Sequence, residues 1–257
     1  MPNRWRSKLG LKPKIIAHRG ASEDAPENSL SSVIEGFQQL ADGVEIDIRL
    51  TLDNKIVCHH DKSALRTTGI DKNIKDMSLE EIQSLDCGSW FGEYWKDETI
   101  PELKDVLTST PRDKEIFIEV KTKEEIVPFL LRDIDEKELN KDQITVITFF
   151  PEVIREIKKC DPNIKCNLLI AFEYKDIVID EIIELAVKID ANGLGVQNHK
   201  KLDKQFIESL KNTGKSVHVW TVNSRREAEE YLKNGIDSIT TNKPLYLRNH
   251  LEQLELF

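Results

Sequence analysis

The chain has 257 residues, 39% of them hydrophobic and 32% charged, the make-up of a folded globular protein rather than a disordered or fibrous one. A formal net charge of −9 excludes nucleic-acid binding through a basic stripe, and no run approaches the roughly 18 apolar residues of an integral membrane segment. The length suits one large α/β barrel or two smaller domains.

The N-terminal stretch carries Arg4, Arg6, Lys8, Lys12 and Lys14, but no apolar core follows, so it does not read as a secretory signal. The simplest address is cytoplasmic. Four cysteines, Cys58, Cys87, Cys160 and Cys166, lack C-x-x-C or zinc-like spacing and are expected as reduced thiols. The first expected strand covers residues 14–17 and runs into His18-Arg19-Gly20. The second, GVEIDIRL at 43–50, places Val44, Ile46, Ile48 and Leu50 on one face and Glu45, Asp47 and Arg49 on the other. A turn, LDNK, leads to a return strand at 55–60 that ends in His60. A short helix with Ser78 and Glu81 as its capping box follows, and then an aromatic run, GSWFGEYW.

Further strands are expected at 115–121, 143–148, 165–171, 192–197, 215–222 and 237–241, where β-branched runs stand between turns or caps. Helical spacing marks residues 176–188 and 202–211. Ser224 with Glu227 forms a capping box for a last helix that Asn234-Gly235 stops. About eight strands alternating with helices predict a TIM (β/α)8 barrel spanning residues 1–257 as a single domain. A doubly wound open sheet fits less well, since no Gly-rich turn follows the first strand. Residues 51–111 are too long for a barrel connection and read as a small insertion after the second strand; at the C-terminal mouth it would help to wall an active site.

In a parallel barrel the charged face of 43–50 points inward, where unpaired carboxylates are costly unless a cation compensates. Glu119 in FIEVK repeats the pattern, so Glu45, Asp47 and Glu119 form a candidate site for a hard divalent cation. The alternative is a salt-bridge network with Arg49 and Lys121. His18 ends the first strand, where barrel enzymes keep their chemistry; Arg19 can grip a phosphate through its planar fork. With His60, the chain has two histidines able to flank an anion held by a cation and to act as acid and base in phosphodiester cleavage.

These residues stand in an ordered set, AHRGASEDAPENS, GVEIDIRLTLDNKIVCHHD, LRTTG, GSWF, IPELKDVL, FIEVK, VWTVNS and GIDSITTNKP, that resembles the glycerophosphodiester phosphodiesterases from Ile15 to about Pro244. The resemblance implies a TIM barrel with a small insertion after the second strand. It also implies hydrolysis of glycerophosphodiesters, such as glycerophosphocholine or glycerophosphoethanolamine, to sn-glycerol 3-phosphate and an alcohol. Carried over by position, it makes His18 and His60 catalytic, and Glu45, Asp47 and Glu119 ligands of one divalent cation, Mg²⁺ or Ca²⁺. Arg19 and Lys121 would hold the phosphate and Trp220 would line the glycerol side. The partner is thus a small-molecule substrate, with no nucleic acid. Two other readings keep the barrel: a lysophospholipase D, needing an apolar groove that the aromatic run could supply, and a non-catalytic phosphodiester-binding barrel, for which paired proton carriers have no use.

Two positions depart from the family's usual pattern: Asn242 stands where Asp is common and Ser29 where Thr is common. By strand alternation His59 points away from His60 and belongs to packing. His199 falls near the catalytic mouth, His218 alternates with Trp220 and lines the barrel deeper down, and His250 is expected at the surface. The aromatic run is expected to pack the insertion's own core, with a cation-π grip on a choline head group as its alternative role.

Overall fold

The β-branched runs form the strands, and the computed structural model describes residues 13–137, 139–173 and 178–254. The strands are β1 (Lys14–His18), β2 (Gly43–Leu50), β3 (Ile56–Cys58), β4 (Glu115–Val120), β5 (Ile144–Thr148), β6 (Lys165–Ile170), β7 (Gly193–Gln197), β8 (Ser216–Trp220) and β9 (Ser238–Thr241). The helices are α1 (Leu30–Gln38), α2 (Leu65–Thr68), α3 (Leu79–Gln83), α4 (Leu103–Ser109), α5 (Val127–Asp135), α6 (Pro151–Cys160), α7 (Ile179–Lys188), α8 (Lys204–Lys211), α9 (Arg225–Lys233) and α10 (Pro244–Leu254). Neighbours in the sheet run β1-β9-β8-β7-β6-β5-β4-β2, all parallel, and pairing of β1 with β2 closes the ring. This is the expected TIM barrel; β3 pairs antiparallel with β2 outside the eight.

Alternation decides what each strand face does. Val44, Ile46, Ile48, Ile116, Ile118 and Val120 are buried in the main core between sheet and helices. Inside the ring, Ile16, Phe117, Ile147 and Leu169 form a second, smaller cluster. Each fully buried Val or Ile contributes about 1.5–3 kcal/mol. A one-residue slip of β2 would push Glu45 and Asp47 into the helix layer, so the apolar face also sets the register of the carboxylates.

Ser29 caps α1 by accepting a hydrogen bond from Ser32 N at 3.0 Å. Ser78 and Glu81 form the expected capping box of α3, and Gly235, at φ +80°, follows the end of α9. Ser224 stands at the N-cap of α9, but its side chain makes no capping hydrogen bond, so the expected capping box with Glu227 is not formed. The α8 cap is Asp203, whose carboxylate accepts from Phe206 N at 2.9 Å, so that helix begins at Lys204. The basic residues Arg4, Arg6, Lys8 and Lys12 and the expected start of α7 at Asp176 lie outside the described residues.

The return strand is shorter than expected. It ends at Cys58; His59 N still donates to the Asp47 carbonyl at 2.9 Å, and the His60 carbonyl beyond it accepts from the Arg49 guanidinium at 2.6 and 3.0 Å. The insertion has a core of Val57, Ala64, Ile74, Met77, Ile82, Cys87 and Ile100. The expectation that GSWFGEYW fills it is therefore corrected. Trp90 is 43% exposed and Tyr94 87%, and the rings pack edge to face on one another, Trp90 on Phe91 and Tyr94 on Trp95. The Trp90 indole donates to the Cys87 carbonyl at 2.8 Å, which folds the run back on its own turn and away from that core. Among the described residues all four cysteines are free and no helix is long and apolar enough to cross a membrane.

Candidate active site

The parallel register assembles the site at the C-terminal ends of the strands. His18 pairs across with Glu45, and Asp47 pairs across with Glu119. Glu45 and Asp47 are 2% and 1% exposed, and one carboxylate oxygen from each of Glu45, Asp47 and Glu119 lies within 4.8 Å of the other two. Lys121, just beyond β4, reaches Asp47 Oδ1 at 3.1 Å and Glu119 Oε1 at 2.6 Å. The salt-bridge alternative is thus realised in part by Lys121. Arg49 instead donates to the carbonyl of His60.

Three buried carboxylates face two cations, Lys121 and Arg19, so one negative charge has no partner of opposite sign. Protonation equilibria reflect this. Burial, then Asp47 and Glu119, push Glu45 well above the usual carboxylate range. Burial and Asp47 raise Glu119 to about 7 against the pull of Lys121. Burial opposes ionisation of Asp47 too, but Lys121 and Arg19 outweigh it and hold that carboxyl low. Glu45 Oε1 is buried with no hydrogen-bond partner. An unpartnered oxygen in an all-oxygen cluster with surplus negative charge fits a hard divalent cation such as Mg²⁺ or Ca²⁺.

The turn after β1 places Arg19. Its φ is +54° and that of Gly20 is +79°, and a Cβ on Gly20 would lie 2.3 Å from the Ser32 carbonyl carbon, so only glycine fits there. The Arg19 backbone N donates to Glu45 Oε2 at 3.0 Å. Its guanidinium lies between Glu27, at 2.9 Å, and Asp47, at 3.2 Å.

His18 and His60 are oriented differently. His18 Nδ1 lies 2.7 Å from the side-chain oxygen of Asn242, just past β9. A carbonyl oxygen can only accept, so Nδ1 carries the proton and Nε2, 4.0 Å from Glu45 Oε2, is left unprotonated. Burial, then the Arg19 charge, lower the His18 pKa to about 4. His60 Nδ1 lies 2.7 Å from the Asp61 carboxylate. Burial also lowers the pKa of His60, with Asp47 opposing.

Trp220 ends β8, its ring edge-on to Phe149 with centroids 5.7 Å apart and its indole nitrogen buried without a partner. Gly195 makes room for the Leu169 side chain, which a Cβ there would meet at 2.5 Å, and lies under the indole at ordinary contact distance. His59 is buried, bonded to Thr67 at 3.1 Å and the Asp61 carbonyl, a packing role as expected. His218 lies inside the barrel between Ser238 and Thr240, stacked on Phe117. His199 stacks on Phe172. His250 is not freely exposed but pairs with Glu229 at 2.6 Å, because α10 packs on α9.

Four residues in the site have no role assigned by the sequence reading. Asn28, buried at φ +59°, donates to Asp47 Oδ2 and accepts from Asp47 N, both at 2.9 Å. Glu27 binds Arg19 and also Arg66 of the insertion, which in turn holds Asp61. In the sequence Glu27 and Asn28 stand in the quoted APENS and Asp61 follows His60, but nothing beside them there gives their partners. Asn28→Ala strands two buried polar groups on Asp47 and puts a Cβ residue at positive φ without the polar side chain that favours it. It is expected to cost about 3 kcal/mol, read as a lowered urea midpoint; an unchanged midpoint contradicts the bracing role.

The profile of the glycerophosphoryl diester phosphodiesterase family matches residues 18–246. The chain is 33% identical over 246 residues to a glycerophosphodiester phosphodiesterase of Caldanaerobacter subterraneus subsp. tengcongensis, covering 93% of this chain and 98% of that protein. It is 27% identical over 245 residues to a glycerophosphodiester phosphodiesterase of Bacillus subtilis, covering 89% and 83%. Among solved structures it is similar to an Oleispira antarctica phosphodiesterase in complex with the product sn-glycerol-3-phosphate, with a TM-score of 0.85, 27% identity, and coverage of 94% and 97%. With fold and sequence in agreement over nearly its whole length, this phosphoric diester hydrolase belongs to the glycerophosphoryl diester phosphodiesterase family.

Proposed function

We propose that the protein hydrolyses glycerophosphodiesters to sn-glycerol 3-phosphate and an alcohol, using one divalent cation, Mg²⁺ or Ca²⁺, at Glu45, Asp47 and Glu119. The observation that carries the reading is the buried carboxylate cluster, with its unpartnered Glu45 Oε1, set beside His18 by strand register. The solved relative that holds sn-glycerol-3-phosphate supports the product. Barrel and insertion act as one domain in this reading, tied by Arg66 to Glu27 and Asp61.

The cation, when bound, would neutralise the phosphodiester and make the attacking oxygen more acidic. Arg19 and Lys121 hold the non-bridging phosphate oxygens by charge-assisted hydrogen bonds. Trp220 lines the glycerol side and offers its unpartnered indole N–H. His18, kept neutral by burial and with Nε2 bare, accepts the proton of the attacking hydroxyl, either water or the glycerol 2-hydroxyl; in the second case a cyclic phosphodiester forms as the alcohol leaves, and a water then opens it to sn-glycerol 3-phosphate. His60 has a carboxylate partner that stabilises its imidazolium, and it gives a proton to the departing alcohol as the P–O bond breaks.

The test is release of sn-glycerol 3-phosphate from glycerophosphocholine by protein stripped with EDTA and then resupplied with Mg²⁺ or Ca²⁺. Activity is expected to vanish on stripping and return with one of the two ions. Full activity after stripping overturns the cation site, and no product with either ion from a folded sample overturns the substrate.

A further inference from the structure

Beside the carboxylate cluster runs a groove of about 420 Å³ lined by Arg49, Lys62, Lys75, Lys121 and Lys123, with Glu125 its one carboxylate. Its walls come from the end of β2, the insertion, the loop after β4 and Phe150 after β5. Lys121 belongs both to the groove and to the cluster, so the two are continuous. Trp220 and Phe149 stand on the inner barrel cluster with Leu169 and Ile147, none of which lines the groove. In a protein of net charge −9, five cations around one cavity are a local reversal of sign.

Three of these cations are not committed to the fold. Lys62 and Lys123 are exposed and make no ion pair among the described residues, and Lys75 reaches only its neighbour Asp76 at 3.8 Å while 77% exposed. Holding like charges together costs free energy that no internal partner recovers. The Thr122 hydroxyl, buried on the groove wall, has no hydrogen-bond partner. The cavity is of the size that takes a small molecule, and its one carboxylate, Glu125, leaves most of its positive charge unmatched.

Resting on the glycerophosphodiesterase reading above, we infer that this groove receives the alcohol side of the substrate and selects alcohols that carry a further phosphate. With the glycerol on the Trp220 side, the departing alcohol points past Lys121 into the groove. A phosphomonoester there meets Lys62, Lys75 and Lys123 and can accept from the Thr122 hydroxyl. A choline or ethanolamine ammonium would meet like charge. The reaction is unchanged: water supplies OH to phosphorus and H to the alcohol, which leaves as its phosphomonoester.

The experiment compares kcat/KM for glycerophosphoinositol 4-phosphate with that for glycerophosphoinositol, which differs only by the phosphomonoester. The expected ratio is about tenfold or more at low salt, shrinking as salt screens the groove. In the Lys62→Gln, Lys75→Gln, Lys123→Gln triple variant it collapses towards one; in the corresponding triple Arg variant it is kept. A wild-type ratio at or below one, a ratio indifferent to salt, or a ratio unmoved in the Gln variant overturns the inference. The salt series in wild type decides the matter even if the Gln variant does not fold. Hydrolysis of both diesters without discrimination leaves the phosphodiesterase reading standing, whereas no hydrolysis of these or of glycerophosphocholine overturns that reading and this inference with it.

Discussion

Replacing His18 or His60 by alanine is expected to lower kcat by about 10²–10⁴-fold, the usual contribution of a positioned proton carrier, with little change in thermal midpoint. The two losses differ with the leaving group. With p-nitrophenolate, which needs no proton to depart, His60→Ala recovers most of its rate, while His18→Ala stays slow because the attacking hydroxyl must still lose its proton. The assignment follows from the ring partners, a neutral amide for His18 and a carboxylate for His60. Near-normal turnover in His18→Ala would sink it, and the opposite leaving-group pattern would exchange the two roles.

In metal-free protein the stabilisation due to Glu119 is expected to be lost as pH rises from about 4.5 to about 7, and it is read as the difference between wild type and Glu119→Gln, because the buried His18 and His218, lowered to about 4 and about 3, contribute with the opposite sign across the same window. A carboxyl whose pKa is raised by folding holds its proton more tightly in the folded chain. Its favourable contribution is complete below the unfolded value and is lost as pH climbs to the folded one. Glu119, raised from 4.5 to about 7, sets this window, and Glu45 moves in the same direction. Asp47 has the opposite sign, but its contribution is lost only as pH falls below the ordinary Asp range. The Glu119 shift corresponds to roughly 3 kcal/mol, or about 5–10 °C in a chain of this size. A saturating cation takes the place of the proton, so the gap in melting temperature between loaded and stripped protein widens across the same window. A gap that is constant with pH would count against the three carboxylates as ligands, and in Glu119→Gln the gap should vary less with pH.

Alternation was enough to read β2 with its observed bounds, because apolar residues at every second position permit only one register against the helices. The same logic carried Glu119 onto the neighbouring strand and separated His59 from His60. Residues held by partners distant in the chain were not legible. Nothing local in Asn28 tells that it will bracket Asp47, and nothing in Arg66 that it will bridge Glu27 and Asp61. The aromatic run misled because large rings predict burial by area, whereas the insertion had enough aliphatic residues for its own core and left the rings to pair with one another. The capture of the His60 carbonyl by the Arg49 side chain, just past the end of β3, is likewise a contact decided only in three dimensions.

The amide that orients His18 lies 224 residues further along the chain. During synthesis from the N terminus the carboxylates of β2 and β4 emerge early, yet β1 has a neighbour on one side only until β9 docks on the other. A chain still short of β9 thus lacks the Asn242 amide that partners the His18 ring. Closure of the ring and orientation of the His18 imidazole are therefore the same event.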